Sequence, residues 1–420
     1  MKHYKLIISC FFLLAILSCV DDRDLSKNTI IAHLSSSPDG LHPFNDNSGN
    51  RTYIFNYTQR TLIKLDLRTL ERIPFLIKEM PIPSEDGLEY IYELIEGVKW
   101  DDGKPFTVDD VIFTTKLQIA PLTNNTQVKG IYSGIIDDVI KHPSNPNKFI
   151  VKTKKLHVEN LTIYEEIYMQ QKSYWDPKGV LDNFTFKQIH DLTYKPTEEI
   201  TNWFNEFNKG DNSYVPEKLV GLGPYQVTEF IPGGYITVEK KKNWYGDKSD
   251  FIYNQNYPDK IIFKIITDDA ASYLAIKNQK IDVSTLLTTS KLMKLQEIDY
   301  FNKNYHSKFL PEYTYDYIGL NMKPDGSEHK PFFTDKNVRR AMAHLVPVDE
   351  IIQVIEQGIG SRQVAQMSPL KKAYNWDLKP IEFNIKKAEK LLDEAGWVDT
   401  DGNTLETKWL MEKSYNFLLN

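Results

Sequence analysis

Cysteine is almost missing from this chain: 420 residues contain only Cys10 and Cys19. Loss of an N-terminal leader would leave a single thiol, so no internal disulfide framework is available and the fold must rest on an ordinary core. Arginine is scarce as well, with eight among 51 cationic side chains set against 57 carboxylates. A formal charge of −6 and no basic footprint exclude a phosphate-binding surface of the kind nucleic acid needs, and no nucleic-acid partner is expected. Long apolar runs are absent too. Leu6 to Leu17 spans 12 residues, short of the roughly 18 needed to cross a bilayer, and nothing later exceeds it. Twenty Gly, 21 Pro and no repeat of 20 to 50 residues or low-complexity block exclude fibrous and disordered classes.

What is present is an ordinary globular composition, 41% hydrophobic and 26% charged, long enough for two or three domains of about 150 residues. The N-terminus is set apart from it. Lys2 and Lys5 precede the apolar run, which reads as a signal peptide over residues 1–18. Its end, Ile16-Leu17-Ser18-Cys19, resembles the lipobox of bacterial lipoproteins, in which the cysteine carries the lipid. An unmodified leader with an incidental cysteine is the alternative. Without Lys2 and Lys5, residues 19–420 carry −8, and Val20 to Lys27 reads as a solvated tether. The expectation is a protein outside the cytoplasm, anchored to a membrane through Cys19.

Along the body, Ile30 to Ser35 reads as a strand broken by Ser36-Ser37-Pro38-Asp39-Gly40. Tyr90 to Ile95 is a second strand, followed by the tight turn Asp101-Asp102-Gly103-Lys104-Pro105. Thr107 with Asp110 three residues on predicts a capped helix with Val108, Val111, Ile112 and Thr115 on one face. Asp101, Asp102, Asp109 and Asp110 invite a metal or acid–base reading, but turn hydrogen bonds and the helix dipole explain each of them locally.

Tyr225–Phe230 and Tyr235–Lys240, joined through Pro232-Gly233-Gly234, predict a hairpin. Gly221 and Gly223 ahead of it fail as a nucleotide loop, because the third glycine position is Gln226 and no Lys-Ser/Thr follows. Ile261 to Ile266 reads as a strand buried on both faces, with a helix over 268–278 behind it. Further helices are expected after Thr334 or Asp335, with Val338, Ala341, Met342 and Leu345 aligned, and after Asn384, with Ile385, Ala388, Leu391, Leu392 and Ala395 aligned up to Gly396.

Glu96-Gly97-Val98-Lys99-Trp100-Asp101-Asp102-Gly103-Lys104-Pro105-Phe106-Thr107-Val108-Asp109-Asp110-Val111 resembles the signature segment of family 5 extracellular solute-binding proteins, the oligopeptide, dipeptide and nickel receptors of ABC importers. Gly221–Tyr225 with Asn243–Gly246, Ile318–Asn321 with Asp335–Ala341, and Ala388–Trp397 follow in that family's order. The resemblance implies an α/β fold, bilobed and periplasmic-binding-protein-like (type II, with the extra domain of the peptide-binding members). Residues 19–52 and 186–266 would form lobe I, 53–185 the extra domain and 267–420 lobe II.

The same resemblance implies a non-enzymatic receptor without cofactor or metal that holds a peptide-like solute between two lobes. It would pass the solute to permease subunits with their ATPases and act as a monomer. The implied ligand contacts are Ser36, Ser37, Pro38 and Asp39, with Asn321 at the end of a second-lobe strand; a plain turn and strand end is the other reading of these residues. An oligosaccharide or nickel chelate remains an alternative solute, although the nine histidines form no close pair. A hydrolase using Asp268-Asp269 or Glu165-Glu166 is disfavoured, since adjacent side chains point apart.

Two departures stand out. Asp349 keeps a helix-capping position, but Glu350 replaces the family's arginine beside it. The chain also ends soon after Trp397, where the family pattern runs on for on the order of a hundred residues. An incomplete second lobe and poor ligand binding are therefore expected.

Overall fold

The computed structural model describes residues 28–397 except 47, 125, 312, 314, 324–331 and 372. The expected signal peptide, Cys19 and the tether to Lys27 lie outside the described residues. Contacts divide the chain after Leu286 into two compact units. Among the described residues no helix is long and apolar enough to cross a membrane.

The first unit is built on two four-stranded sheets. In one, β1 (Thr29–Leu34) runs parallel to β10 (Lys260–Ile265), and the hairpin β8 (Tyr225–Ile231) and β9 (Tyr235–Lys240) continues it in the order β1-β10-β9-β8. Gly233, at φ +73°, makes the hairpin turn that the sequence predicts. β10 departs from expectation. Ile261, Phe263 and Ile265 are buried while Lys264 is exposed, so only one face is covered, as is usual where antiparallel pairing enters a sheet. The covered face packs on α1 (Gly49–Thr58) through Ile54 and Phe55.

The other sheet has the order β4-β5-β7-β6, from β4 (Ile82–Pro83), β5 (Glu89–Glu93), β6 (Ile136–Lys141) and β7 (Lys148–Thr153), all antiparallel. Its inner face carries Tyr90, Tyr92, Phe149 and Val151 onto α2 (Val108–Ile119). Tyr92 stacks on Phe149 with centroids 4.9 Å apart, and Tyr164 closes both edge-on. β2 (Ile63–Leu65) and β3 (Arg72–Pro74) form a separate ribbon. Helices α3 (Thr126–Ile135), α4 (Lys172–Trp175), α5 (Phe186–His190) and α6 (Glu198–Phe207) complete this half of the unit.

After β10, Asp268 caps α7 (Asp269–Lys277), its carboxylate accepting the Ala271 N–H at 2.6 Å. The chain then returns to β1, where Val283 bridges Ala32 and the Asp282 carboxylate accepts the Ile31 N–H at 2.8 Å. The boundary read near Thr267 thus precedes the division of contacts.

The second unit holds α8 (Thr289–Gln296), α9 (Asp299–Asn304), α10 (Lys336–Leu345), α11 (Val348–Val354) and α12 (Ile385–Glu394), with no strand among its described residues. Asp335 and Asn384 cap α10 and α12 as expected. Asp349 does not cap; it sits in the first turn of α11, one residue inside a helix that starts after Pro347, and pairs with Arg362 at 2.9 Å. Ile318-Gly319-Leu320-Asn321 is coil rather than a strand, and among the described residues of this unit no strand is present to complete a ladder with it. On α12, Ala388 is buried, but Ile385 stays exposed.

Candidate functional site

The sequence-predicted loop leaves β1 at Leu34, where the sheet ladder stops and Ser35-Ser36 bend the chain. Ser36 and Asp39 are exposed, Ser37 is half-buried and Pro38 is buried. The loop is held from three sides. The Asn50 carboxamide, on the first turn of α1, donates to the Ser36 carbonyl at 2.9 Å and to its hydroxyl at 2.7 Å. The Gly233 N–H of the β8–β9 turn donates to the Ser37 hydroxyl at 3.4 Å. The Tyr214 hydroxyl donates to the Asp39 carbonyl.

Behind the loop, Gly40 has no room for a side chain: a Cβ there would lie 2.5 Å from Asp46 Oδ2 and 2.6 Å from Ser213 Cβ. That close approach lets the Asp46 carboxylate accept the His42 N–H at 2.7 Å, although burial raises the Asp46 pKa. Arg51, its pKa lowered by burial, donates to the His42 and Pro43 carbonyls at 3.0 and 3.2 Å. His42 itself is packed edge-on against Phe44, Trp175 and Phe207, and burial pulls it down to about 3, so it is neutral at physiological pH. The loop therefore presents the exposed Asp39 carboxylate and backbone groups on a rigid base, with the Ser36 and Ser37 hydroxyls held by Asn50 and Gly233.

Asn50 and Tyr53 are i, i+3 on α1 and share a face, which places the exposed Tyr53 ring on the side of the helix that holds Ser36. Asn50, Tyr53 and Tyr214 were not legible as site residues, since their contacts join segments that no local pattern connects. Asn321 lies in the second unit, exposed, with its carboxamide oxygen accepting the Lys323 N–H at 3.0 Å. The geometry brings the four loop residues together and leaves Asn321 on a separate unit.

The acidic motif is structural throughout. Asp110 is buried, and its carboxylate accepts the N–H groups of Thr107 at 2.9 Å and Lys172 at 2.8 Å and the Trp100 indole N–H at 3.3 Å. Asp101 pairs with Lys241 at 2.7 Å, Asp109 with Lys141 at 2.8 Å, and Asp102 accepts from Gln171 at 2.9 Å. Each carboxylate has its own partner, so they do not converge. Of the other acidic pairs, Asp268 is a helix cap and Glu165 pairs with Arg72 at 2.8 Å. No group of three or more His, Cys, Asp or Glu able to hold a metal occurs among the described residues.

Gly221 and Gly223 serve packing. A Cβ at either would lie 2.1 Å from the Thr58 carbonyl or 2.2 Å from that of Tyr57, so only glycine lets this segment cross the end of α1. Close by, Arg60 is fully enclosed, donating to the carbonyls of Asn56, Gln59 and Tyr253 beneath the Phe75 and Trp244 rings, and burial lowers it to about 10.

Residues 71–420 match the model of the bacterial extracellular solute-binding proteins, family 5 Middle. The chain is 26% identical to the oligopeptide-binding protein AppA of Bacillus subtilis over 360 residues, 84% of this chain and 56% of that protein. It is 24% identical to the dipeptide-binding protein of Escherichia coli over 393 residues, 89% of this chain and 64% of that one. Among solved structures it is similar to AppA in complex with a nonapeptide, with TM-score 0.68, 23% identity, and coverage of 89% of this chain and 65% of the other. It is also similar to NikZ from Campylobacter jejuni in complex with Ni(L-His), with TM-score 0.66, 24% identity, and coverage of 90% and 65%. The chain thus spans less than two thirds of the length of these relatives. The likeness bears out the expected α/β fold of this class of binding protein.

Proposed function

The chain belongs to the bacterial extracellular solute-binding proteins of family 5, and we propose that it is the solute-capturing receptor of an ABC importer, acting outside the cytoplasm on a peptide-like ligand. The observation that carries this reading is the family match over 350 of 420 residues, in a chain whose Asp101, Asp102, Asp109 and Asp110 each have a structural partner. The reading has the chain bind and release its solute without chemistry, as a monomer, and hand it to permease subunits with their ATPases. Lipid on Cys19 would keep it at the membrane surface.

The loop Ser36–Asp39 suits this role. Its fixed backbone limits the entropy lost on binding, its exposed Asp39 carboxylate can orient a polar ligand, and Tyr53 offers an amphipathic ring beside it. The Asp39 carboxylate complements an amine or amide-rich solute. Asn321 is retained as a contact from the second unit. Peptide names among the relatives favour a peptide over an oligosaccharide or nickel chelate.

Ligand-dependent thermal stabilisation tests the reading. A pool of short peptides should raise the melting temperature, and Asp39→Asn or Tyr53→Ala should reduce that rise while leaving the unliganded melting temperature in place. A rise with an oligosaccharide or nickel–histidine and none with peptides would overturn the peptide assignment. Loss of palmitate labelling in Cys19→Ala, together with release from membranes, tests the anchor.

A further inference from the structure

Asn28, just ahead of β1, is fixed to the segment 252–259. Its carboxamide donates to the Tyr257 carbonyl at 2.7 Å, and its own carbonyl accepts the Asp259 N–H at 2.8 Å. The other end of that segment holds the turn between β2 and β3. The Tyr253 hydroxyl donates to the Asp66 carboxylate at 3.0 Å and accepts the Leu67 N–H at 3.0 Å. Asp66 is buried and also takes the Arg68 guanidinium through two hydrogen bonds, at 2.7 and 3.0 Å, so the turn is a braced projection.

Apolar side chains stand out along this route. Leu67 is 72% exposed and Tyr257 73%, with Leu70 at 43% and Ile252 at 44%. Leu70 also sits at φ +61°, in the left-handed region where glycine is the usual occupant, so the tip keeps a bulky apolar side chain at a conformational cost. Strain of this kind collects at contact sites.

A lipid on Cys19 gives this surface its partner. The nine residues 19–27 reach about 30 Å at full extension, so the anchor confines the Asn28 end of the first unit to within that distance of a bilayer. We propose that the tip Leu67–Leu70 and Tyr257 rest on that bilayer, the leucines at the acyl boundary and the tyrosine ring among the headgroups. The proposal rests on the lipid anchor of the receptor reading and names the surface that meets the membrane. So few side chains would not hold a free chain, but the tether raises their local concentration at the lipid and a weak contact becomes populated. Charge does not drive it. Lys64, Arg68 and Arg72 on this side are balanced by Asp66, Glu71 and Glu165, and Lys248 and Lys260 by Asp247, Asp250 and Asp259, so zwitterionic lipid should serve as well as anionic. The six residues of β1 span about 20 Å, which puts the Ser36–Asp39 loop at the end of that strand away from the tether.

Cys19 is the only thiol in residues 19–420, so it can be coupled to a maleimide phospholipid in phosphatidylcholine vesicles, whether or not the cell attaches lipid there. p-Benzoylphenylalanine replacing Leu67, Tyr257 or Ile231 then captures its neighbours on illumination. Ile231 is the control: it is 45% exposed and lies in register with Tyr235, Lys264 and His33, at the end of the sheet away from Asn28. Lipid adducts at positions 67 and 257 should exceed those at 231 by roughly tenfold or more. Leu67→Glu should cut the adduct formed from position 257 by roughly threefold at an unchanged melting temperature, which separates seating on the lipid from nearness alone. Equal adducts at the three positions, adducts to protein in place of lipid, or indifference to Leu67→Glu would each overturn the inference. Palmitate missing from Cys19 in the cell would refute the anchor and the inference with it, whereas failure in the coupled chain refutes the inference alone.

Discussion

The two units differ most in what their apolar side chains do. In the first, strands distant in sequence close two sheets, and side chains such as Tyr92, Phe149, Phe184 and Phe204 are at or below 1% exposure. In the second, Leu295, Phe301, Val338, Ala341, Tyr374 and Ala388 are buried, whereas Trp376 is 70% exposed, Tyr317 77% and Ile318 61%. Helical periodicity is present in both. An amphipathic face becomes a core only where something covers it, and in the first unit the sheets do so. Short helices alone bury little, because their stability comes mainly from tertiary packing.

The largest test of that contrast is truncation. Phe149→Ala removes a fully buried ring stacked on Tyr92 and should cost about 3–5 kcal/mol in chemical denaturation followed through the first unit. Trp376→Ala, at a larger but exposed side chain, should stay within about 0.5 kcal/mol. Equal costs would mean that the second unit is as well packed as the first.

Glycine substitution gives the next effect and shows where sequence reasoning stopped. The elements with local signatures were legible: the capped start at Thr107, the Asp335 and Asn384 caps, and the β8–β9 hairpin all follow from spacing and side-chain chemistry. Gly221 and Gly223 could be read as failing a nucleotide motif, but their reason for being glycine is the carbonyls of Tyr57 and Thr58, a long-range contact with no local trace. The loop Ser36–Asp39 was legible as a break after a strand, whereas Asn50 and Tyr214, which hold it, were not. The one-sided burial of β10 was missed because Ile, Phe and a lone Lys do not reveal which neighbour pairs antiparallel. Gly223→Ala should cost about 1–3 kcal/mol, since backbone rather than a mobile side chain must yield.

The pH response should also separate the units. His42 in the first unit has its folded pKa lowered to about 3 by burial, against 6.5 for a free imidazole. Between those values the unfolded chain binds the proton and the folded one refuses it, so stability is lost as pH falls through that window, by about 2 kcal/mol at pH 5. Denaturation midpoints of the first unit should decline from pH 7 to 5, and His42→Gln should flatten that slope. An unchanged slope in the variant would assign the acid sensitivity to other groups.

The smallest effect is expected at Gly319, in the coil where a strand was predicted. A Cβ there would find only Tyr317 Cε2, at 3.5 Å, which is ordinary contact. Alanine also restricts the unfolded chain more than glycine does, a gain of about 0.4–1 kcal/mol where the folded backbone accepts it. Gly319→Ala should therefore be neutral to slightly stabilising, opposite in sign to Gly223→Ala. Both glycines sit in segments that resemble the family pattern, so the pair isolates packing from motif membership. A cost above about 1 kcal/mol at Gly319 would mean that this segment is closely packed in the folded protein, and the contrast between the two units would then lie in what covers the second one rather than in how its own side chains are arranged.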